Sequence, residues 1–338
     1  MRLLEQLEDR LSEPSEALVA DLGGLDGDLL ILGAGGKLGP SLVRLALRAL
    51  AASGSRSRVL AVSRFSQPGL ADRLAAEGAV VVKADVADDD ALAGLPDAAN
   101  VLFLVGAKFG TTGQEDQTWA TNAYLPGRVA QRFRAARIVA LSTGNVYPLT
   151  TVTGGGATED TPVAPVGEYA MSCLGRERVL GHFAAVHGTP LALIRLNYAV
   201  ELRYGVLVDL ARAVLDGADI DLTTGHANVV WQGYANEVTL RALRHASTPP
   251  FVLNVTGPET VSIRQVAERM GALLGKPVRF TGTESGTSLL SNAQRCHALF
   301  GYPGVPVETL IRQTVEWVEA GLPLLDKPTQ FQRRDGRF

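Results

Sequence analysis

The sequence is short of the residues on which several function classes depend. Cysteine occurs only as Cys173 and Cys296. They lie far apart and in no metal-ligand spacing, which argues against a disulfide framework or a metal site and fits a reducing cytoplasm. No run of roughly 18 apolar residues occurs, so no transmembrane helix and no membrane partner are expected. A continuous apolar start is missing too: Glu5, Glu8, Asp9, Glu13 and Glu16 interrupt the first leucines. That segment does not read as an export signal, and none is expected from it. With Leu3, Leu4, Leu7 and Leu11 on one side, it reads as an amphipathic helix. Excess charge of one sign is also lacking. A net charge of −3 gives no electrostatic reason to expect nucleic acid. Lysine is confined to Lys37, Lys83, Lys108, Lys276 and Lys327. Internal repeats and low-complexity tracts are absent.

What remains is an ordinary globular mixture, 46% hydrophobic and 20% charged, in 338 residues. That suffices for one large domain or two modest ones. Short branched runs at Leu29–Leu32, Val59–Val62, Val80–Val82, Val101–Val105, Ile138–Leu141 and Leu191–Ile194 read as buried parallel strands. Helical stretches such as Leu38–Ala51 and Thr118–Ala136 separate them. The alternation predicts an α/β fold with a doubly wound parallel sheet. After Asn197 helices dominate, with short strands at Val229–Gln232, Phe251–Val255 and Val278–Phe280, as in a smaller α+β lobe. The expected division is an N-terminal helical extension (1–27), the sheet domain (28–197), a mainly substrate-binding lobe (198–325) and a polar, poorly packed tail (326–338).

Residues Leu30–Gly39 read LILGAGGKLG, a strand running through a turn into a helix. Gly33 suits the tight turn, Gly36 lets a pyrophosphate approach the backbone, and Gly39 allows close helix–strand packing. Phosphates would sit on the helix N-terminus, where unpaired N–H groups and the dipole favour an anion. Lys37 and Leu38 belong to the same contact surface. At the end of the second strand, Ser63-Arg64 offers no acid to a ribose 2′-hydroxyl, while Arg64 offers a guanidinium to a 2′-phosphate. The reading favours NADP, with NAD as the alternative. A solvated arginine at a strand end is the bland explanation.

These motifs resemble the extended short-chain dehydrogenase/reductase family, of the NAD-dependent epimerase/dehydratase type. The resemblance covers roughly Asp28 to Ala320. It implies a Rossmann-type fold and an enzyme that binds NAD(P). Lys83-Ala84-Asp85-Val86 is similar to the family's adenine-contacting segment. Val105-Gly106-Ala107-Lys108 is similar to its loop beside the pyrophosphate and nicotinamide ribose. Asn122 matches a structural asparagine, and Arg195-Leu196-Asn197 resembles the segment closing over the nicotinamide. Leu141 to Tyr147 resembles the segment whose catalytic hydroxyl Thr143 would supply, with Asn145 beside it. Pro165 to Tyr169 resembles the loop leading to the catalytic tyrosine.

The family's helix reads Tyr-x-x-x-Lys, whereas here Tyr169 is followed four residues later by Cys173. That lysine would lower the tyrosine pKa and hold the nicotinamide ribose. A neutral thiol does neither, and free tyrosine ionises near pH ~10. Three readings stay open: Lys108 stands in as the cation, Tyr169 works without activation, or the site is not a redox site. Cys173 as a nucleophile lacks a local histidine, and a small buried thiol is the simpler reading.

Substrate candidates are Thr111, Asn145, Arg203, His226 and Trp231. Arg203 suits a carboxylate or phosphate, or else a surface pair with Glu201 or Asp209. The functional expectation is an NAD(P)-dependent oxidoreductase or epimerase acting on a carbohydrate-like substrate. Its alternative is a cofactor-bound, non-redox binding or regulatory protein. The resemblance also implies a homodimer through the helices around Thr118–Ala136 and Tyr169–Val186.

Overall fold

The computed structural model describes every residue except Met1, Phe109, Thr111, Pro328 and Phe338, and the side chain of Arg2. The chain forms two compact units, each assembled from three stretches. The first comprises Met1–Ser142, Met171–Ile194 and Asn236–Val252; the second comprises Thr143–Ala170, Arg195–Ala235 and Leu253–Phe338.

The first unit is built on a seven-stranded sheet. Its strands are β1 (Leu29–Leu32), β2 (Val59–Ser63), β3 (Val80–Lys83), β4 (Asn100–Phe103), β5 (Arg137–Thr143), β6 (Leu191–Leu196) and β7 (Phe251–Val255). The order across the sheet is β7-β6-β5-β4-β1-β2-β3. The pairs β1–β2, β1–β4, β2–β3 and β4–β5 are parallel. β1 and β4 are buried along their whole lengths, as continuous apolar runs demand when helices cover both sheet faces. Val80–Val82 departs from the expected burial: Val80 is 38% exposed, because β3 ends the sheet and has one neighbour only.

The N-terminal segment forms α1 (Arg2–Leu11) and α2 (Glu16–Gly23), followed by α3 (Gly39–Ala52). Of the apolar face expected here, Leu7 and Leu11 are buried and Leu4 is half-buried, but Leu3 is 53% exposed, and the segment forms two helices, the second burying Leu18 and Leu22. The polar sides of α1 and α2 are tied down as well. Arg44 on α3 pairs with Glu8, and Arg241 reaches Asp21 at 2.7 Å. Ser15 caps α2 by accepting the Leu18 N–H while its hydroxyl donates to Glu237 at 2.6 Å. The stretch expected as helical, Thr118–Ala136, is helical as far as Arg132 but is not a uniform α-helix. A π-turn at Ala120–Tyr124 separates Glu115–Trp119 from Leu125–Arg132. The long helix α4 spans Gly167–His187, its first turn belonging to the second unit and the rest to the first.

In the second unit α5 (Val206–Asp216), α6 (Ile263–Leu274) and α7 (Val307–Glu319) pack on one another. Strand pairs surround them, including Asp219–Asp221 with Arg279–Thr281 and His226–Ala227 with Val261–Ser262. The tail is not poorly packed. Thr329 is 2% exposed and Phe331 7%, because an aromatic ring and a Thr329–Asp209 hydrogen bond anchor an otherwise polar segment.

Candidate functional site

In the first unit the turn after β1 is shaped by its glycines. Gly33 has φ +91° and donates its N–H to Val62 O. A Cβ at Gly39 would stand 2.3 Å from Ala34 O, so α3 can start this close to the turn only without a side chain. At Gly36 a Cβ would meet only Gly33 O, at 3.2 Å, and the rest of its surroundings is open. α3 begins at Gly39, whose N–H is taken by Gly36 O at 3.2 Å, and Pro40 has no N–H, so the open face belongs to the turn itself and not to the first amides of the helix. The cradle fits a dinucleotide pyrophosphate on that observation.

Around it, Arg64 is 77% exposed and holds Asp85 loosely, at 3.8 Å. Asp85 also accepts the Ala87 N–H, while Val86 is buried. The loop after β4 runs past the turn, since a Cβ at Gly33 would lie 3.1 Å from Val105 N. Asn122, at the centre of the π-turn and fully buried, pins this loop. Its Oδ1 accepts the Ala107 N–H at 2.9 Å, and its Nδ2 donates to Ala107 O at 2.8 Å and to Ser172 Oγ at 3.0 Å. Lys108 is half-buried on the same loop. Arg176, on α4, donates to Asn122 O, Asn122 Oδ1 and Leu141 O.

In the second unit the residues after β5 form a tight polar turn. Thr143 is 7% exposed; its Oγ1 accepts both the Asn145 N–H at 3.2 Å and Asn145 Nδ2 at 2.9 Å. Behind it, Arg195 donates to Tyr147 Oη at 2.6 Å, and Tyr147 donates to Asn254 Oδ1 at 2.9 Å. Burial pushes the Tyr147 phenol above its ordinary range, against the pull of the Arg195 guanidinium. Asn254 is fully buried and donates to Ala157 O and Asn292 O, while Glu159 accepts its N–H. Asn197 lies beside Gly144, where a Cβ would stand 3.3 Å from Asn197 Cβ and 3.0 Å from Ser291 Oγ. Tyr169 is half-buried in the first turn of α4.

The family model for the NAD dependent epimerase/dehydratase family matches residues 29–219. The chain belongs to that family. It is therefore of an enzyme family, with the Rossmann-type fold that its topology displays. Among solved structures, it resembles the dTDP-glucose 4,6-dehydratase DesIV from Streptomyces venezuelae, described with NAD and TYD bound. The identity is 18%, covering 87% of this chain and 97% of that one, with a TM-score of 0.73. A UDP-glucuronic acid 4-epimerase from Bacillus cereus, in complex with NAD, matches at 17% identity over 87% and 99% of the chains, TM-score 0.71. MoeE5, in complex with UDP-glucose and NAD, matches at 20% identity over 87% and 99%, TM-score 0.68. At these identities the structures attest the fold. No curated protein matches the sequence significantly.

Within this family frame, the structure brings Gly33, Gly36, Lys37, Leu38, Gly39, Val105, Gly106 and Asn122 into the first unit with Ser63, Arg64 and Asp85. Thr143, Asn145, Tyr169 and Asn197 are in the second. Thr111 lies outside the described residues. Arg203 is turned to Glu201, whose carboxylate it holds at 3.0 Å with only 1% of the Glu201 side chain exposed. The pairing alternative prevails there because a buried carboxylate needs a partner. Trp231 is 5% exposed in a short strand, and His226 is half-buried in another. Cys173 is 1% exposed, a buried thiol. Sequence reasoning missed Ser172, Arg176, Asn254 and Ser291. For Arg176 one signal existed: it stands seven residues after Tyr169 and three after Cys173, on the same helical face.

Proposed function

We propose that this protein is an NAD(P)-dependent oxidoreductase or epimerase acting on a hydroxylated, carbohydrate-like substrate. The observation that carries the reading is the Thr143 hydroxyl. Its oxygen already accepts two hydrogen bonds from Asn145, and its own proton has no acceptor among the described residues. A buried hydroxyl in that state is set to donate to a ligand oxygen. When bound, the dinucleotide supplies or accepts hydride at nicotinamide C4. The glycine turn before α3 receives its diphosphate on the open face at Gly36. Thr143 orients the substrate oxygen, and Tyr169 accepts or returns the proton on that oxygen as the carbinol carbon loses or regains hydride. Sugar nucleotides are the first substrates to test, because the names of the structural neighbours carry UDP-glucose, UDP-glucuronic acid and dTDP-glucose. The site residues, the four-part division of the chain and the roles of Asn145, His226 and Trp231 are part of this proposal.

NADP is the first cofactor by the Arg64 argument, although NAD is the dinucleotide in the neighbours' names. Lys108 is the cation offered by the sequence for tuning Tyr169, and Lys108→Ala should then shift the pH–rate profile. Dimerisation is supported by Trp119, Tyr124, Met171 and Val186, large apolar side chains exposed on the helices of the first unit. No helix of the described residues is long and apolar enough to cross a membrane. Two buried thiols suit a reducing cytoplasm.

The deciding experiment follows hydride transfer and epimerisation over a panel of UDP- and dTDP-sugars. Tyr169→Phe should lower kcat by about 100-fold or more, with KM little changed. Full turnover by the variant on a verified substrate refutes the assignment. The buried Cys173 favours one second reading, a bound dinucleotide without redox turnover. Tight cofactor binding with no reaction across the panel would select it.

A further inference from the structure

We propose that Arg176 is a buried cation of the dinucleotide site, balancing the ligand's charge from the helix face on which Cys173 stands. The proposal rests on the dinucleotide reading above and concerns the first unit alone. Arg176 is 5% exposed. Its Nε donates to Asn122 O at 3.2 Å, its Nη1 to Leu141 O at 2.6 Å, and its Nη2 to Asn122 Oδ1 at 2.9 Å. The guanidinium carbon lies 5.6 Å from the centre of the Phe103 ring.

Every one of those acceptors is neutral, and no carboxylate of the described residues pairs with this charge. The adjacent Glu177 is directed elsewhere, its Oε1 accepting the Ser142 hydroxyl at 2.5 Å. A buried cation without a counter-charge is costly to maintain. An anion arriving at the same place offsets that cost.

The loop geometry puts the ligand there. A Cβ on Gly106 would stand 2.9 Å from Arg176 Nη2, so a bulkier residue would collide with the guanidinium. Gly106 follows Val105, whose backbone lies against Gly33 of the phosphate turn. A dinucleotide diphosphate on that turn lies beside the loop the guanidinium supports. Arg176 thus acts in two ways: its charge raises the potential under the loop, and its bonds to Asn122 fix the amide of Ala107. It is a positioning and charge-balancing residue and not a proton relay.

The test is equilibrium binding of NADH, NADPH and AMP, with circular dichroism and thermal melting on each variant. Arg176→Gln removes the charge while keeping an amide donor. It should weaken dinucleotide binding about tenfold or more and flatten its salt dependence, while AMP, which lacks the diphosphate and nicotinamide half, changes less than about threefold. Cys173→Lys alone places a second buried cation one turn from the first. It should weaken binding and lower the melting temperature. The double variant Cys173→Lys/Arg176→Gln should recover dinucleotide affinity to within about threefold of wild type. A folded Arg176→Gln with wild-type affinity overturns the proposal. So does a Cys173→Lys variant that binds the dinucleotide more tightly and melts higher, a result that stands even where Arg176→Gln does not fold. Wild-type protein that binds neither NADH nor NADPH overturns the dinucleotide reading, and this proposal falls with it; normal wild-type binding with an indifferent Arg176 overturns this proposal alone.

Discussion

Gly39→Ala and Gly36→Ala should separate packing from ligand contact within one turn. At Gly39 the added Cβ would lie 2.3 Å from Ala34 O, 2.5 Å from its carbonyl carbon and 2.7 Å from its Cα. Ordinary contact begins near 3.4 Å, so a gap of about 1 Å must open. Because the obstacle is backbone, α3 or the turn itself has to move. Overpacking costs about 1–3 kcal/mol, and a backbone obstacle places this case near ~3 kcal/mol. At Gly36 the Cβ meets a single atom at 3.2 Å, and φ is not in the left-handed region. Reduced unfolded-state entropy there contributes about 0.4–1 kcal/mol in favour of alanine. Gly36→Ala should therefore keep its melting temperature yet lose about tenfold or more in NAD(P)H affinity, because its methyl occupies the open face of the turn. Gly39→Ala should lose both stability and affinity. Urea unfolding and fluorescence titration measure the two effects. A Gly36→Ala protein that binds NAD(P)H like wild type would refute the location of the pyrophosphate.

Arg64→Ala should lower the ratio of NADP to NAD affinity by about tenfold, close to the worth of one charge-assisted hydrogen bond at an exposed site; an unchanged ratio removes Arg64 from cofactor choice. His297, stacked on Tyr302 and sharing a hydrogen bond with Thr256 O, has its pKa held below the ordinary 6.5 by burial. The unfolded chain then takes up the proton first, so stability should fall as pH drops below about 6.5 towards the depressed folded value. Melting curves of wild type and His297→Gln across that range should diverge at the acid end. Size-exclusion chromatography with light scattering should show a dimer that Tyr124→Glu dissociates, since the substitution puts a charge on a side chain already 66% exposed.

The framework was legible where local chemistry determined it. The branched runs marked β1, β2 and β4–β6 because strands covered on both faces must be apolar throughout. The glycine turn was legible because its three glycines each answer a steric demand of the strand–turn–helix junction. What escaped was set by distant partners. Arg176 offers only its helical spacing from Tyr169 and Cys173 until Leu141 and Asn122, 35 and 54 positions away, are folded around it. The π-turn escaped because helical periodicity continues through it, while one extra residue rotates Asn122 into the core. Arg203 showed the converse: its partner Glu201 was in view, but nothing local said that Glu201 would be buried.

The tail shows how composition misleads, and it yields a further expectation. Residues 329–337 are mostly polar, yet each anchor is specific. Thr329 donates to Asp209 through both its N–H and its hydroxyl, at 2.9 and 2.6 Å. Phe331 is buried, and Arg334 donates to Thr287 O and Oγ1 at 2.7 Å each. Gly336 packs on Val166 and Gly167, where a Cβ would stand 2.1 Å from Val166 O. That contact lies on the loop entering α4, two residues before Tyr169. Burying the Phe331 ring contributes about 1.5–3 kcal/mol, and each hydrogen bond to the Asp209 carboxylate about 1.5–3 kcal/mol before resolvation of Asp209 is subtracted. A chain ending at residue 328 should lose roughly 3–5 kcal/mol in urea unfolding. Gly336→Ala should instead leave Phe331 seated and release only the tip, so its stability should change little while kcat falls through a loosened Tyr169 helix start. If Gly336→Ala keeps full turnover, or the shortened chain unfolds at the wild-type urea concentration, the tail is a passenger and its packing does not reach the catalytic helix.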